Sequence, residues 1–243
     1  MGKLICIIDG DFMRRRVIES QSFYYSGQAI RQHCLKHLLP GEELLRILYY
    51  AAAPYGGQGV HPKTGETIDF GRTEQHRMAD EFFRGLAGTP QMALRLGRLA
   101  WQYNSWNIAA HRLPDLLSGR TAVADLGPED IRPDFRQKAV DMRIGLDIAT
   151  IALKRQAERL VLITNDADFV PAVKLARREG LTVCLDPLWA GVSADLREHV
   201  DYVRNLLEVK SDGFRRVPDP KEYDPSLCGA GECASGQGGP GGE

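Results

Sequence analysis

The sequence predicts an α/β fold: a central parallel, doubly wound, Rossmann-like sheet with helices on both faces. Three observations predict it. Continuous apolar runs of strand length recur along the chain, stretches of helical apolar spacing separate them, and glycine, proline and other turn formers stand at the junctions. Alternating strand and helix returns the chain across the sheet in one direction, which calls for right-handed crossovers.

The elements follow in order. Lys3-Leu-Ile-Cys-Ile-Ile-Asp9 is a short apolar run closed by an acid and Gly10, the pattern of a central strand buried on both faces. Residues 28–39 are helical and end at Pro40-Gly41, and residues 43–53 form a second strand closed by Pro54. Residues 55–72, rich in glycine, read as an exposed loop or insertion. Met78, Phe82, Phe83 and Leu86 have helical spacing within 73–86, and residues 92–101 are a third strand. Residues 102–133 hold several breakers and no period, and read as a second long, mobile insertion. From residue 134, Ala139, Val140, Ile144, Ile148, Ile151 and Ala152 lay an apolar face on a helix reaching about residue 156. A buried strand (160–164), a helix (169–178) ending at Gly180, and an apolar strand (181–185) complete the series. One domain is expected over 1–207, with insertions near 55–72 and 102–133, followed by an extension (208–243). Its last stretch, 227–243, is too poor in apolar residues to fold and reads as a flexible tail.

A hydrophobic share of 43% and a charged share of 26% are those of a globular chain and exclude a disordered one. The net charge of −1, from 31 basic and 32 acidic residues, gives no global basic field, so contact with nucleic acid must be local. Bound divalent cations would offset part of the acidic charge. The five cysteines, Cys6, Cys34, Cys184, Cys228 and Cys233, are odd in number and scattered. With no secretory leader in view, they point to reduced thiols and a cytoplasmic protein. No window has the roughly 18 to 20 apolar residues of a membrane span, so no membrane partner is expected.

Open parallel sheets present functional groups outside the carboxyl ends of their strands. That rule selects Asp9, at the end of the first strand, and Asp166 and Asp168, directly after the 160–164 strand. Asp141, near the start of the helix preceding that strand, reaches the same rim through a crossover. Carboxylates crowded there raise one another's pKa unless a cation neutralises them, and hard oxygen donors select Mg²⁺ or Mn²⁺. Such a site suits hydrolysis of a phosphodiester without a nucleophilic side chain.

The run Gln137-Lys-Ala-Val-Asp141-Met-Arg-Ile-Gly-Leu-Asp147, then Val161-Leu-Ile-Thr-Asn-Asp166-Ala-Asp168-Phe-Val-Pro171 and Gly180-Leu-Thr-Val183, resembles the NYN domain, including its LabA-like bacterial members. The opening strand ending in Asp9-Gly10 fits as well. The resemblance implies a PIN-like fold and a Mg²⁺- or Mn²⁺-dependent ribonuclease, with Asp9, Asp141, Asp166 and Asp168 as catalytic and metal-binding acids and RNA as partner. Two positions depart from the family pattern. Asp11 stands where an Asn often follows the first Asp-Gly, and Asn165 replaces a small Gly; the extra carboxylate either joins the cluster or distorts it.

Each residue also has a plainer use. Asp168 equally suits a helix cap and Asp141 a first-turn acid, while Asp147 lies farther along its helix and reads as structural. Arg14, within Arg14-Arg15-Arg16, and Lys138, a helical turn before Asp141, are candidate phosphate contacts, although charge runs more often face solvent. Asn165 and Thr164 suit either a site water or a strand-terminal turn. Trp101, Tyr103 and Trp106 suit base stacking or, more simply, packing. Two other functions compete with the nuclease: a non-catalytic RNA- or protein-binding domain, and a haloacid-dehalogenase-type phosphatase using Asp9 and Asp11. The insertions are candidate surfaces for a homo-oligomer.

Overall fold

The computed structural model describes residues 1–222. Cys228, Cys233 and the glycine-rich tail lie outside the described residues. The opening apolar run forms β1 (Gly2–Asp9), followed by α1 (Gly10–Ser20) and α2 (Gly27–Leu35). β2 (Glu42–Ala53) leads into a small hairpin, β3 (Gln58–Val60) and β4 (Thr67–Asp69), and then α3 (Glu74–Ala87). β5 (Met92–Ile108), α4 (Leu113–Leu117) and β6 (Ile131–Lys138) come next. α5 (Val140–Leu153), β7 (Arg159–Ile163), α6 (Val170–Arg178), β8 (Thr182–Leu185), α7 (Ala194–His199) and β9 (Tyr202–Val203) complete the domain.

The main sheet has seven strands in the order β6-β5-β2-β1-β7-β8-β9, parallel throughout except for the antiparallel pair β5/β6. β1 is central, and its Leu4, Ile5, Cys6, Ile7 and Ile8 are buried because both faces are covered. On one face Phe12, Met13 and Val17 of α1, Ile30 and Cys34 of α2 and Leu86 of α3 pack on Leu4, Cys6, Ile8 and Ile47. On the other, Val140, Ile144 and Ile148 of α5 and Val170 and Val173 of α6 pack on Ile5, Ile7, Leu160 and Leu162. Each such buried aliphatic side chain stabilises the fold by about 1.5–3 kcal/mol. The helices therefore lie on both faces, and the doubly wound α/β expectation holds.

Two sequence readings need correction. The helix expected from residue 134 starts at Val140, because residues 131–138 are β6. Ala139 breaks strand from helix with a left-handed φ of 65°. Lys138 consequently ends a strand and does not sit a helical turn before Asp141. The insertion expected over 102–133 is also shorter than it reads, since β5 continues to Ile108 and pairs with β6 across a register shift between Trp101 and Trp106. The ribbon is held by long-range pairing and by aromatic side chains flanking the β3–β4 hairpin. Trp101 meets Tyr55, Phe70, Trp106 and Phe135 with ring centroids 5.4–6.2 Å apart. Packing is thus the observed use of Trp101 and Trp106, while Tyr103 is exposed.

Residues 208–222 lie against the rest of the chain. Lys210 and Ser211 donate backbone hydrogen bonds to Ser20, Val217 donates to Trp189, and Asp219 pairs with Arg197 at 2.7 Å.

Candidate active site

β1 and β7 run side by side in the middle of the sheet, so their carboxyl ends open onto one rim. Asp9 ends β1 and also caps α1, its Oδ1 accepting the Phe12 N–H at 3.1 Å. Gly10 is obligatory at this junction: a Cβ there would lie 2.5 Å from the Tyr49 ring and from the Tyr50 carbonyl oxygen. The Tyr25 and Tyr49 hydroxyls hold the Gly10 carbonyl from behind, at 3.2 and 3.3 Å, and contact each other at 2.8 Å. Sequence reasoning missed these two tyrosines. The signal available was an aromatic pair with polar tips, Tyr49-Tyr50, near the carboxyl end of a buried strand.

Thr164, buried directly after β7, links the two sides of the rim. Its hydroxyl lies 3.5 Å from Asp9 Oδ2 and accepts the Asp166 N–H at 3.2 Å. Asp166 in turn accepts the Asp168 N–H at 2.9 Å, capping the short turn that leads into α6. The capping role considered for Asp168 therefore belongs to Asp166, and the Asp168 carboxylate is left exposed. Asp141, in the first turn of α5, faces this group.

The electrostatics report the convergence. Burial pushes the Asp9 carboxyl above its ordinary range; the Phe12 N–H opposes this, Asp11 and Asp141 push it further, and Arg15 opposes. Asp141 is raised first by partial burial and then by Asp166 and Asp168. Acids from β1, α1, α5 and the β7–α6 turn thus act on one another across one rim. They are loosely spaced, however. Among the described residues, the set of three or more His, Cys, Asp or Glu ligand atoms within 4.8 Å of one another is His33, His37 and Asp186, which includes none of these aspartates.

Of the expected substrate contacts, Arg14, Lys138 and Asn165 are exposed near the ends of the elements that form the rim. Arg16 is committed elsewhere: its guanidinium donates twice to the Leu188 carbonyl and stacks 4.1 Å from the Phe214 ring centroid. The Asp147 carboxylate accepts the Tyr50 hydroxyl at 2.6 Å, the structural use expected of it.

Residues 100–207 match the NYN domain family. NYN belongs to the PIN-like nuclease superfamily, and the mostly parallel sheet flanked by helices is consistent with a PIN-like fold. The NYN match contains Asp141, Asp166 and Asp168, whereas Asp9 and the central strand β1 precede it. The sheet that the matched stretch completes therefore depends on the residues before it. No curated protein matches the chain. Among solved structures, a crystal structure of a protein of unknown function from Vibrio parahaemolyticus RIMD 2210633 aligns over 83% of this chain and 91% of that chain, at 15% identity and a TM-score of 0.46.

Among the described residues, no helix is long and apolar enough to cross a membrane.

Proposed function

We propose that this chain is a Mg²⁺- or Mn²⁺-dependent endoribonuclease that hydrolyses RNA phosphodiester bonds at the aspartate rim. The observation that carries the reading is that Asp11 and Asp141 add to burial in raising the Asp9 carboxyl, and that Asp166 and Asp168 do the same at Asp141. The donor set fits a hard dication, being carboxylate oxygens with the Thr164 hydroxyl beside them. Its loose spacing suits Mg²⁺, which keeps several waters and takes only one or two carboxylates directly.

In this reading Asp9, Asp141, Asp166 and Asp168 together hold the ion, one or two of them directly and the others through water. Thr164 fixes Asp9 relative to Asp166, and the tyrosine pair fixes the Gly10 carbonyl behind them. Arg14, Lys138 and Asn165 face the substrate backbone. A dication bound here supplies Lewis acidity toward the scissile phosphate. Asp11, which a phosphatase would need as acid/base partner of Asp9, is instead engaged by the Gln137 side chain.

The test is cleavage of labelled single-stranded RNA by chelator-stripped protein with and without Mn²⁺. Cleavage should require the ion and disappear in Asp166→Asn and Asp141→Asn, together with the Mn²⁺-induced rise in melting temperature. The departures from the family pattern at Asp11 and Asn165 favour a second reading, an RNA-binding domain without catalysis. RNA retention with neither cleavage nor a metal response in the wild type would establish it over the first.

A further inference from the structure

Inside the core on the α1–α3 face of the sheet, three polar side chains meet. His33 on α2, His37 one turn later, and Asp186 directly after β8 are 3%, 0% and 0% exposed. Both imidazole Nε2 atoms stand 2.9 Å from the same oxygen, Asp186 Oδ2, while Asp186 Oδ1 accepts the Leu188 N–H at 2.9 Å. The Nδ1 atom of His37 is buried without a hydrogen-bond partner. A carboxylate this deeply buried requires a compensating positive charge.

We propose that His33, His37 and Asp186 bind a divalent transition-metal ion, zinc by the chemistry of the donors. Two nitrogens and one oxygen suit zinc, and although His37 lies two residues past the end of α2, its Nε2 and that of His33 in the last turn of α2 meet the same carboxylate oxygen. All three ligand atoms lie within 4.8 Å of one another. Tetrahedral ligands about 2.0–2.1 Å from zinc stand about 3.3 Å apart, so the 2.9 Å separations need open by only a few tenths of an ångström. The neighbouring thiols of Cys6, Cys34 and Cys184 are buried in the same core but do not belong to this set.

A cleft of about 290 Å³, lined by Ser22, Gln32, His33, Lys36 and Glu208 among others, has His33 in its wall. The ion would tie α2 to the turn after β8, where Leu188 and Trp189 hold left-handed φ values of 48° and 62°. That turn also carries the Leu188 carbonyl that receives Arg16 of α1. The site thus joins the end of α2 to the turn after β8, and none of its three ligands is a rim aspartate.

The test uses the full chain, stripped with a chelator. It is titrated with Zn²⁺ against a chromophoric competitor and with Co²⁺ by visible absorption, and melting temperature is followed in parallel. One Zn²⁺ per chain should be retained in excess Mg²⁺, with an intense tetrahedral Co²⁺ spectrum and a higher melting temperature. Asp166→Asn should keep all three properties, and His33→Gln and His37→Gln should lose them. Because a core histidine variant is at risk of misfolding, the wild-type Co²⁺ spectrum decides independently. A weak octahedral spectrum, zinc lost in Asp166→Asn but kept in His33→Gln, or no zinc uptake by the wild type overturns the proposal.

Discussion

The Gln137 side-chain amide donates to Asp11 Oδ2, joining the end of β6 to the first turn of α1 across 126 positions of sequence. Asp11 is therefore occupied by a neutral donor at the rim, although its charge still bears on Asp9. Asp11→Asn preserves a hydrogen-bonding partner for Gln137 and removes one negative charge. It should leave both the Mn²⁺-induced thermal shift and RNA cleavage close to wild type. Loss of either would make Asp11 a ligand in its own right.

Asp9→Asn separates stability from function. The charged form of Asp9 is disfavoured in the folded state, first by burial and then by Asp11 and Asp141, whereas an Asn side chain caps a helix nearly as well. In metal-free buffer the variant should melt higher, by about 2–4 °C for a gain of about 1 kcal/mol. The same variant should no longer respond to Mn²⁺. A lower melting temperature without metal would mean that the Asp9 charge is compensated by something other than a cation.

The architecture was legible because burial leaves a local signature. Apolar runs marked β1, β7 and β8, and helical spacing marked α3 and α5. β6 was not legible, since Arg132, Arg136, Gln137 and Lys138 are exposed on an edge strand and only pairing with the distant half of β5 makes them extended. The helix α1 was hidden for a similar reason: its arginine run masks Phe12, Met13 and Val17, which are the face that packs. The rim acids could be selected because strand ends in parallel sheets are where side chains emerge. His33, His37 and Asp186 could not be grouped, because 149 and 153 positions separate the histidines from the aspartate.

The Arg159 ion pair gives a pH prediction. The guanidinium, 5% exposed at its side chain, donates from Nε to Glu42 Oε1 at 2.7 Å and also bonds the His37 carbonyl and the Tyr202 hydroxyl. Burial pushes the Glu42 carboxyl up, but Arg159 and the Leu39 N–H outweigh it, and the net shift is downward from the ordinary 4.5. A depressed folded pKa means stability that is present above the unfolded value and lost as pH falls through the folded one. The melting-temperature gap between wild type and Glu42→Gln should hold steady near neutrality and close on acidification below about pH 4. A gap that widens with acid would contradict the assignment. Arg159→Leu, which strands the carboxylate, should cost about 3 kcal/mol or more at neutral pH.

Asp147 and Asp141 lie on one helix, about 9 Å apart along its axis, and should behave oppositely. Asp147 accepts the Tyr50 hydroxyl at 2.6 Å and pairs with Arg95 at 3.3 Å, so its bonds hold α5 to β2 and β5. Asp141 has no such anchor among its electrostatic neighbours, which are Asp166 and Asp168. Asp147→Asn should therefore lower stability by about 1 kcal/mol and leave metal response and cleavage intact. Tyr50→Phe should reproduce that loss, and the double variant should lose less than the two combined, because both act on one bond. Asp141→Asn should abolish cleavage with no loss of stability. Cleavage lost in Asp147→Asn while its melting temperature is unchanged would move the working face of α5 from Asp141 to Asp147.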